Sequence, residues 1–180
     1  MRAFISVSMP EDIRLSIESV GNEFKMQGLT LVKKEALHLT LQFLGDIDAE
    51  QAGQVVAAMK ASKREPFKVS VSGISYFTPR LIRVIFAGIA EGSESVKELY
   101  GKLGSELKAR GVDFENENDY RPHITIARVK RVGDMHRLRE VLAKNSRANF
   151  GSFEAKTVAL RESVLTPEGP VYKSLYELKL

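Results

Sequence analysis

The sequence predicts an α+β fold of two similar lobes, each an antiparallel sheet with flanking helices, around a central cleft. Three observations predict it. Strand-like stretches come as neighbours along the chain, with helical stretches between only some of them, which argues against a doubly wound parallel sheet. No glycine-rich loop follows a strand, so the phosphate-cradling signatures of nucleotide folds are missing. And one strand pattern occurs twice, Leu37-His38-Leu39-Thr40-Leu41 and Pro122-His123-Ile124-Thr125-Ile126, once in each half of the chain. Two related halves packed about a shared cleft would bring the copies together.

Each element has a local reason. Arg2 to Ser8 reads as a strand. Ser8-Met9-Pro10-Glu11 reads as a helix start, with Ser8 as cap and Pro10 in the first turn. Ile13, Ile17, Val20 and Phe24 then form one helix face, and Gly28 ends the helix. Leu29 to Lys33 is a short extended piece, and residues 37 to 44 are the first His-Thr strand, closed by a Gly45-Asp46 turn. Asp48 with Gln51 opens a second helix, running to about Ser62. Pro66 resets the chain. A strand from Phe67 to about Phe77 turns at Thr78-Pro79-Arg80 and returns as Leu81 to Ile89. Ser93 caps a third helix, whose Val96, Leu99, Leu103 and Leu107 face inward, with Gly111 after it. Residues 112 to 119 are polar loop, and 121 to 129 are the second His-Thr strand. A fourth helix covers 134 to 145. Phe153 to Leu165 and Val171 to Leu178 close the chain as a strand pair, joined by residues 166–170.

Bulk properties narrow the function. A chain of 180 residues fits one domain, 1–180, with ample material for a core. No apolar run approaches the roughly 20 residues needed to span a bilayer. The N-terminus is too short and strand-like for a secretory signal. Cysteine is absent, which excludes disulfides, thiolate catalysis and Cys-based zinc sites. A cytoplasmic monomer without membrane contact is the default expectation. The net charge of +4 mildly favours an anionic partner such as nucleic acid.

The paired motif carries the chemistry. In a strand of period two, His and Thr share a face about 7 Å apart, and their apolar neighbours anchor the other face in the core. The chain has three histidines, and two sit in these copies; His136, on a polar helix start, reads as surface. A lone strand histidine is usually structural, but random placement would give only roughly 0.1 His-x-Thr occurrences in such a chain. Near its ordinary pKa of about 6.5 an imidazole is base or acid at neutral pH. Two of them flanking one phosphorus can activate an attacking oxygen and protonate the departing one in a single turnover. Two hydroxyls beside them can hold the non-bridging oxygens as charge builds. In-line attack on a phosphodiester fits, with no metal and no other cofactor. A metal reading is weaker, because two His and two Thr lack a carboxylate or third nitrogen; Asp46 and Asp48 suit a turn and a helix cap better. A Ser-His-Asp hydrolase has no nucleophile elbow here.

At these residues the chain resembles the 2H phosphoesterase superfamily, and more closely the RNA 2′,3′-cyclic phosphodiesterase (2′-5′ RNA ligase) family. The resemblance rests on Arg2-Ala3-Phe4-Ile5 with Pro10, on His38-Leu39-Thr40-Leu41-Gln42-Phe43-Leu44-Gly45, and on Tyr120-Arg121-Pro122-His123-Ile124-Thr125-Ile126-Ala127-Arg128. Ala36 stands where the resemblance expects Asn. The resemblance implies hydrolysis of an RNA terminal 2′,3′-cyclic phosphate to a 2′-phosphate, on RNA ends such as those of tRNA fragments. It implies His38 as proton donor to O3′, His123 as the base that activates water, and Thr40 and Thr125 as phosphate holders. Joining of a cyclic phosphate to a 5′-hydroxyl end in a 2′-5′ bond is the same chemistry with a ribose hydroxyl replacing water. Competing readings are a related 2H enzyme acting on a small cyclic nucleotide or 2′-5′ oligonucleotide, and a non-catalytic RNA-end binder. The last would expect one decayed motif, and neither is decayed. Arg128 is a further substrate-binding candidate, although strict alternation turns it off the cleft face and leaves it only the strand end from which to reach phosphate. Tyr76 and Phe77 suit core packing better than base stacking. Lys33, Lys34, Arg80, Arg83, Lys130 and Arg131 are candidates to track an RNA backbone, each read singly as a solvated charge.

Overall fold

A computed structural model describes residues 1–78, 80–167 and 169–180; the sequence readings at Pro79 and Glu168 fall outside them. In chain order the elements are β1 (Arg2–Val7), α1 (Glu11–Gly21), β2 (Leu29–Leu31), β3 (Leu39–Asp46), α2 (Ala49–Ala61), β4 (Phe67–Tyr76), β5 (Val84–Ile89), α3 (Ser93–Ala109), β6 (His123–Val129), α4 (Met135–Asn145), β7 (Asn149–Ala155), β8 (Thr157–Thr166) and β9 (Gly169–Lys179). They make two antiparallel sheets, of order β3-β1-β8-β9 and β2-β6-β5-β4-β7.

The lobes are not the two halves of the chain. Helices α2 and α3 pack on each other and on the four-stranded sheet, through β9 and β3, while α1 and α4 pack on the five-stranded one. Each sheet draws strands from both halves of the chain, β1 and β3 with β8 and β9 in one, and β2, β4 and β5 with β6 and β7 in the other. The closing strands cross over as well. The stretch read as one strand from Phe153 is two: β7 ends at Ala155 in one sheet, and β8 starts at Thr157 in the other. Lys156 is the single residue between them, so a strand pattern continuous in sequence belongs to both lobes. One hydrophobic core runs under both sheets, including Ile5, Ile17, Phe24, Leu39, Ile85, Leu103, Ile124, Leu138 and Leu160, all almost fully buried.

Several boundaries differ from the sequence reading. Pro10, not Ser8, occupies the position before α1, and no side chain caps that helix. Ser93 is the first residue of α3, and Gly92 in the left-handed region (φ 85°) precedes it. A Cβ there would stand 2.2 Å from the Lys68 carbonyl oxygen, so close backbone approach selects glycine. Gly45-Asp46 does not turn the chain but continues β3 against Ala3 and Arg2. Phe24 lies on a 3-10 turn beyond α1, yet is fully buried as its spacing implied. The Asp48–Gln51 capping box forms as read, with Asp48 Oδ1 accepting from the Gln51 amide at 2.8 Å. A cap of this kind contributes about 1 kcal/mol.

Candidate active site

The two His-Thr strands meet across one cleft of about 840 Å³, lined from both lobes. Its wall includes His38, Thr40 and Phe43 from the β3 side and His123, Thr125 and Arg128 from β6. His38 immediately precedes β3, and His123 opens β6.

The same irregularity sits in both strands. On β3 the pairing with β1 skips Leu41, since Ile5 faces Gln42 and Ser6 faces Thr40. On β6 the pairing with β5 skips Ile126, since Ile85 faces Ala127 and Phe86 faces Thr125. In each motif, then, the residue after Thr is a bulge. Two successive side chains turn to the core, Leu41 and Gln42 in one strand and Ile126 and Ala127 in the other, all buried. The alternation slips by one, and the fifth residue after each His swings back to the cleft. That corrects the expectation for Arg128. Strict period two turned it away; the bulge makes it line the cleft, exposed, on the side of His123 and Thr125. Phe43 occupies the matching place on the other strand. The two motifs are thus alike in backbone but unlike in chemistry, with a guanidinium on one side and a phenyl ring on the other.

Both imidazoles are held alike. His38 Nδ1 lies 2.7 Å from the Ala36 carbonyl oxygen, and His123 Nδ1 lies 2.7 Å from that of Arg121. A carbonyl only accepts, so each Nδ1 carries the hydrogen and each Nε2 is left for chemistry. The contact is made by main chain, which is why Ala36 serves where the resemblance expects Asn. Aromatic rings fix each ring plane. Phe4 and Tyr172 lie 4.7 and 5.1 Å from the His38 ring, and Phe77 and Phe86 lie 4.8 and 5.4 Å from that of His123. Phe77, read as core, instead lines the cleft and stacks on Phe86 at 4.3 Å, while Tyr76 does pack against the core.

This packing sets the proton affinities. Burial pushes His38 down to about 4, reinforced by the positive charges of Arg161 and Arg128 and opposed by its bond to Ala36. His123 is also lowered by burial, but its bond to Arg121 and the nearby Glu117 carboxylate oppose the shift. With the site free of anion, both imidazoles favour the neutral form.

Tyr120 is a residue whose role the sequence pattern did not disclose. Its hydroxyl donates to the Thr40 carbonyl at 2.6 Å, and its ring stacks on Tyr100 of α3 at 3.9 Å and 2°. Tyr100 in turn accepts from the Glu117 amide at 2.8 Å. Tyr120 precedes Arg121, whose carbonyl accepts from His123, so one side chain ties the first motif to the second. Only the separation of 80 residues hid it. His136 is exposed beside Glu140, as read. Among the described residues no three His, Asp or Glu side chains gather where they could hold a metal ion, and no helix is long and apolar enough to cross a membrane.

The sequence profile of the LigT-like phosphoesterases matches residues 7–86 and 88–172, one His-Thr strand within each segment. The chain belongs to this family. It is 35% identical to the RNA 2′,3′-cyclic phosphodiesterase of Methanocaldococcus jannaschii, over 98% of this chain and 99% of that one. It is 32% identical to the protein of the same description from Archaeoglobus fulgidus, over 97% and 98%. Among solved structures, TT0787 of Thermus thermophilus superposes with a TM-score of 0.82 at 28% identity, covering 100% of this chain and 98% of that one. Escherichia coli LigT complexed with 3′-AMP shares the fold, with a TM-score of 0.78 at 21% identity over 99% and 96%. The α+β architecture of two antiparallel sheets is that of its LigT-like relatives.

Proposed function

We propose that this protein hydrolyses RNA terminal 2′,3′-cyclic phosphates to 2′-phosphates, with His123 as the base toward water and His38 as the acid toward O3′. The observation that carries it is the pair of identically held imidazoles in one cleft, each with Nε2 free and a Thr hydroxyl beside it. The near-full-length relatives described as RNA 2′,3′-cyclic phosphodiesterases support the substrate class. In the reaction His123 Nε2 takes the proton of water as its oxygen bonds to phosphorus. The P–O3′ bond breaks, and His38 gives O3′ a proton. Thr40, Thr125 and Arg128 donate to the non-bridging oxygens as their charge grows. The low proton affinity of His38 suits this only with substrate bound, because the substrate's phosphate brings a negative charge beside the imidazole. The bound anion raises His38 toward the protonated form the acid needs.

Incubation with an RNA ending in 2′,3′-cyclic phosphate, followed by identification of the end group, tests the reading. A 2′-phosphate is expected. A 3′-phosphate product, or none, overturns it. Activity in excess chelator should match activity in added magnesium within about twofold, since the proton transfers assigned here run through side chains alone. Loss in chelator that a divalent ion restores would contradict that account.

Tyr120→Phe isolates the tie between the motifs. It removes one hydroxyl and keeps the stacked ring. The lost hydrogen bond itself represents only about 0.5–1.5 kcal/mol. A shift of the motifs by a fraction of an ångström should nonetheless lower kcat about 10- to 100-fold, because in-line transfer is sensitive to alignment. KM should stay within about twofold. A fall in kcat that merely follows a fall in Tm, or no change in kcat, would remove Tyr120 from this role.

A further inference from the structure

We propose that the end of the cleft marked by Lys33, Arg83, Arg128, Lys130 and Arg131 carries the phosphodiester chain of single-stranded RNA upstream of its cyclic end. The inference rests on the hydrolytic reading above and adds the direction in which the polymer leaves the site. Strand register gathers these cations. The Val129 amide bonds the Arg83 carbonyl, and the Lys130 amide bonds the Gly28 carbonyl, each at 2.8 Å. Arg128 lies opposite Val84 on one side and Thr30 on the other. Lys33 follows the same β2 edge into the cleft. The backbone here is tightly held: a Cβ on Gly28 would stand 1.5 Å from the Arg131 carbonyl oxygen. All five side chains belong to exposed residues.

None of the five makes an ion pair among the described residues, whereas some other surface cations do. Lys34 bonds Glu11 at 2.7 Å, Arg64 bonds Glu98 at 3.1 Å and Lys68 bonds Glu91 at 2.9 Å. Lys34 therefore drops out of the sequence-derived candidates. Cations left unpaired and continuous with a substrate cleft suit a polyanion. The carboxylates of the cleft stand elsewhere. Glu115, Glu117 and Asp119 line it just before His123, and Asp119 is paired with Arg121 at 2.8 Å. The acidic stretch leads into β6 and the basic group follows its other end, about 17 Å away at 3.3 Å per residue. Phosphates are repelled at one end and attracted at the other, so the charge pattern sets the path of the chain.

The test compares a nucleoside 2′,3′-cyclic phosphate with a single-stranded oligoribonucleotide carrying the same cyclic end, at salt concentrations from about 50 to about 300 mM, the range over which counterion release is read. The variant is Arg83→Gln/Lys130→Gln/Arg131→Gln, which leaves the proton-transfer and phosphate-holding residues intact. In the unmodified protein log(kcat/KM) for the oligonucleotide should fall more steeply with log[salt] than for the nucleotide. The triple variant should lose about 2 of that slope, as three contacts to a single strand predict. Its activity on the nucleotide should stay within about twofold. An unchanged oligonucleotide slope overturns the proposal, and so does an equal loss on both substrates. If the unmodified protein opens neither cyclic end, the hydrolytic reading fails. Fluorescence anisotropy of a 2′-phosphate-ended oligonucleotide against salt then still decides the track, by the same slope difference.

Discussion

Replacing either cleft histidine by alanine should cost about 10²–10⁴ in kcat on a cyclic-phosphate RNA end, the usual contribution of one positioned proton transfer. Thr40→Ala and Thr125→Ala should cost less, about 10–10³, since each removes one donor to the developing charge. The position of the pH profile follows from the packing. Burial lowers both imidazoles, His38 to about 4. The productive form needs one imidazole protonated and the other neutral. Well above pH 6.5 both are neutral in the free protein, since burial lowers both below that value, and His38 takes up its proton only near pH 4. The bell in kcat/KM, which reports the free protein, should therefore peak below about 6.5, the ordinary imidazole value. The bound phosphate raises the acid, so the kcat profile should peak at higher pH than kcat/KM. The same shifts have a stability sign. A histidine whose folded pKa is depressed favours the fold fully above the unfolded value near 6.5, and that contribution is lost as pH falls toward the folded value. Activity below about pH 5 must accordingly be read alongside a thermal melt at each pH. A kcat/KM optimum at or above about pH 7 would contradict the burial argument.

What the residues disclosed and what they withheld divide along physical lines. The motif histidines and threonines were legible because strand alternation is local: His38 and Thr40, and His123 and Thr125, each need only their own strand to share a face. The Asp48–Gln51 cap was legible for the same reason. Arg128 was misjudged because a bulge is specified jointly by two strands. Nothing in Thr125-Ile126-Ala127 alone shows that β5 will skip Ile126. The single strand read across Phe153 to Leu165 failed at Lys156, where the chain changes sheets without changing its extended conformation. Ser8 and Ser93 had the residue types of caps, but Pro10 and Gly92 set the backbone there. Tyr120 lay within the motif block, yet its partner is a main-chain oxygen on the other lobe, and no periodicity encodes that.

Swapping the leaving group should separate the two histidines, which the near-symmetric motifs do not distinguish by themselves. Each donates Nδ1–H to a carbonyl two residues back, each is ringed by two aromatics, and each follows the same bulge rule. The proposed acid is needed because an alkoxide at O3′ leaves poorly without a proton. A 3′-thio substrate removes that need, since a thiol has a pKa of about 8.5 and departs as thiolate. The P–S bond then breaks with no proton delivered, while water must still lose one to a base. On this substrate His38→Ala should recover to within about tenfold of the unmodified protein, against a deficit of about 10²–10⁴ on the oxygen substrate. His123→Ala should stay impaired on both. Recovery of the His123 variant instead would exchange the roles, and the greater proton affinity left to His123 by Glu117 is the physical feature that would then explain it. Recovery of neither would mean that both imidazoles chiefly bind phosphate, a result incompatible with the acid–base mechanism.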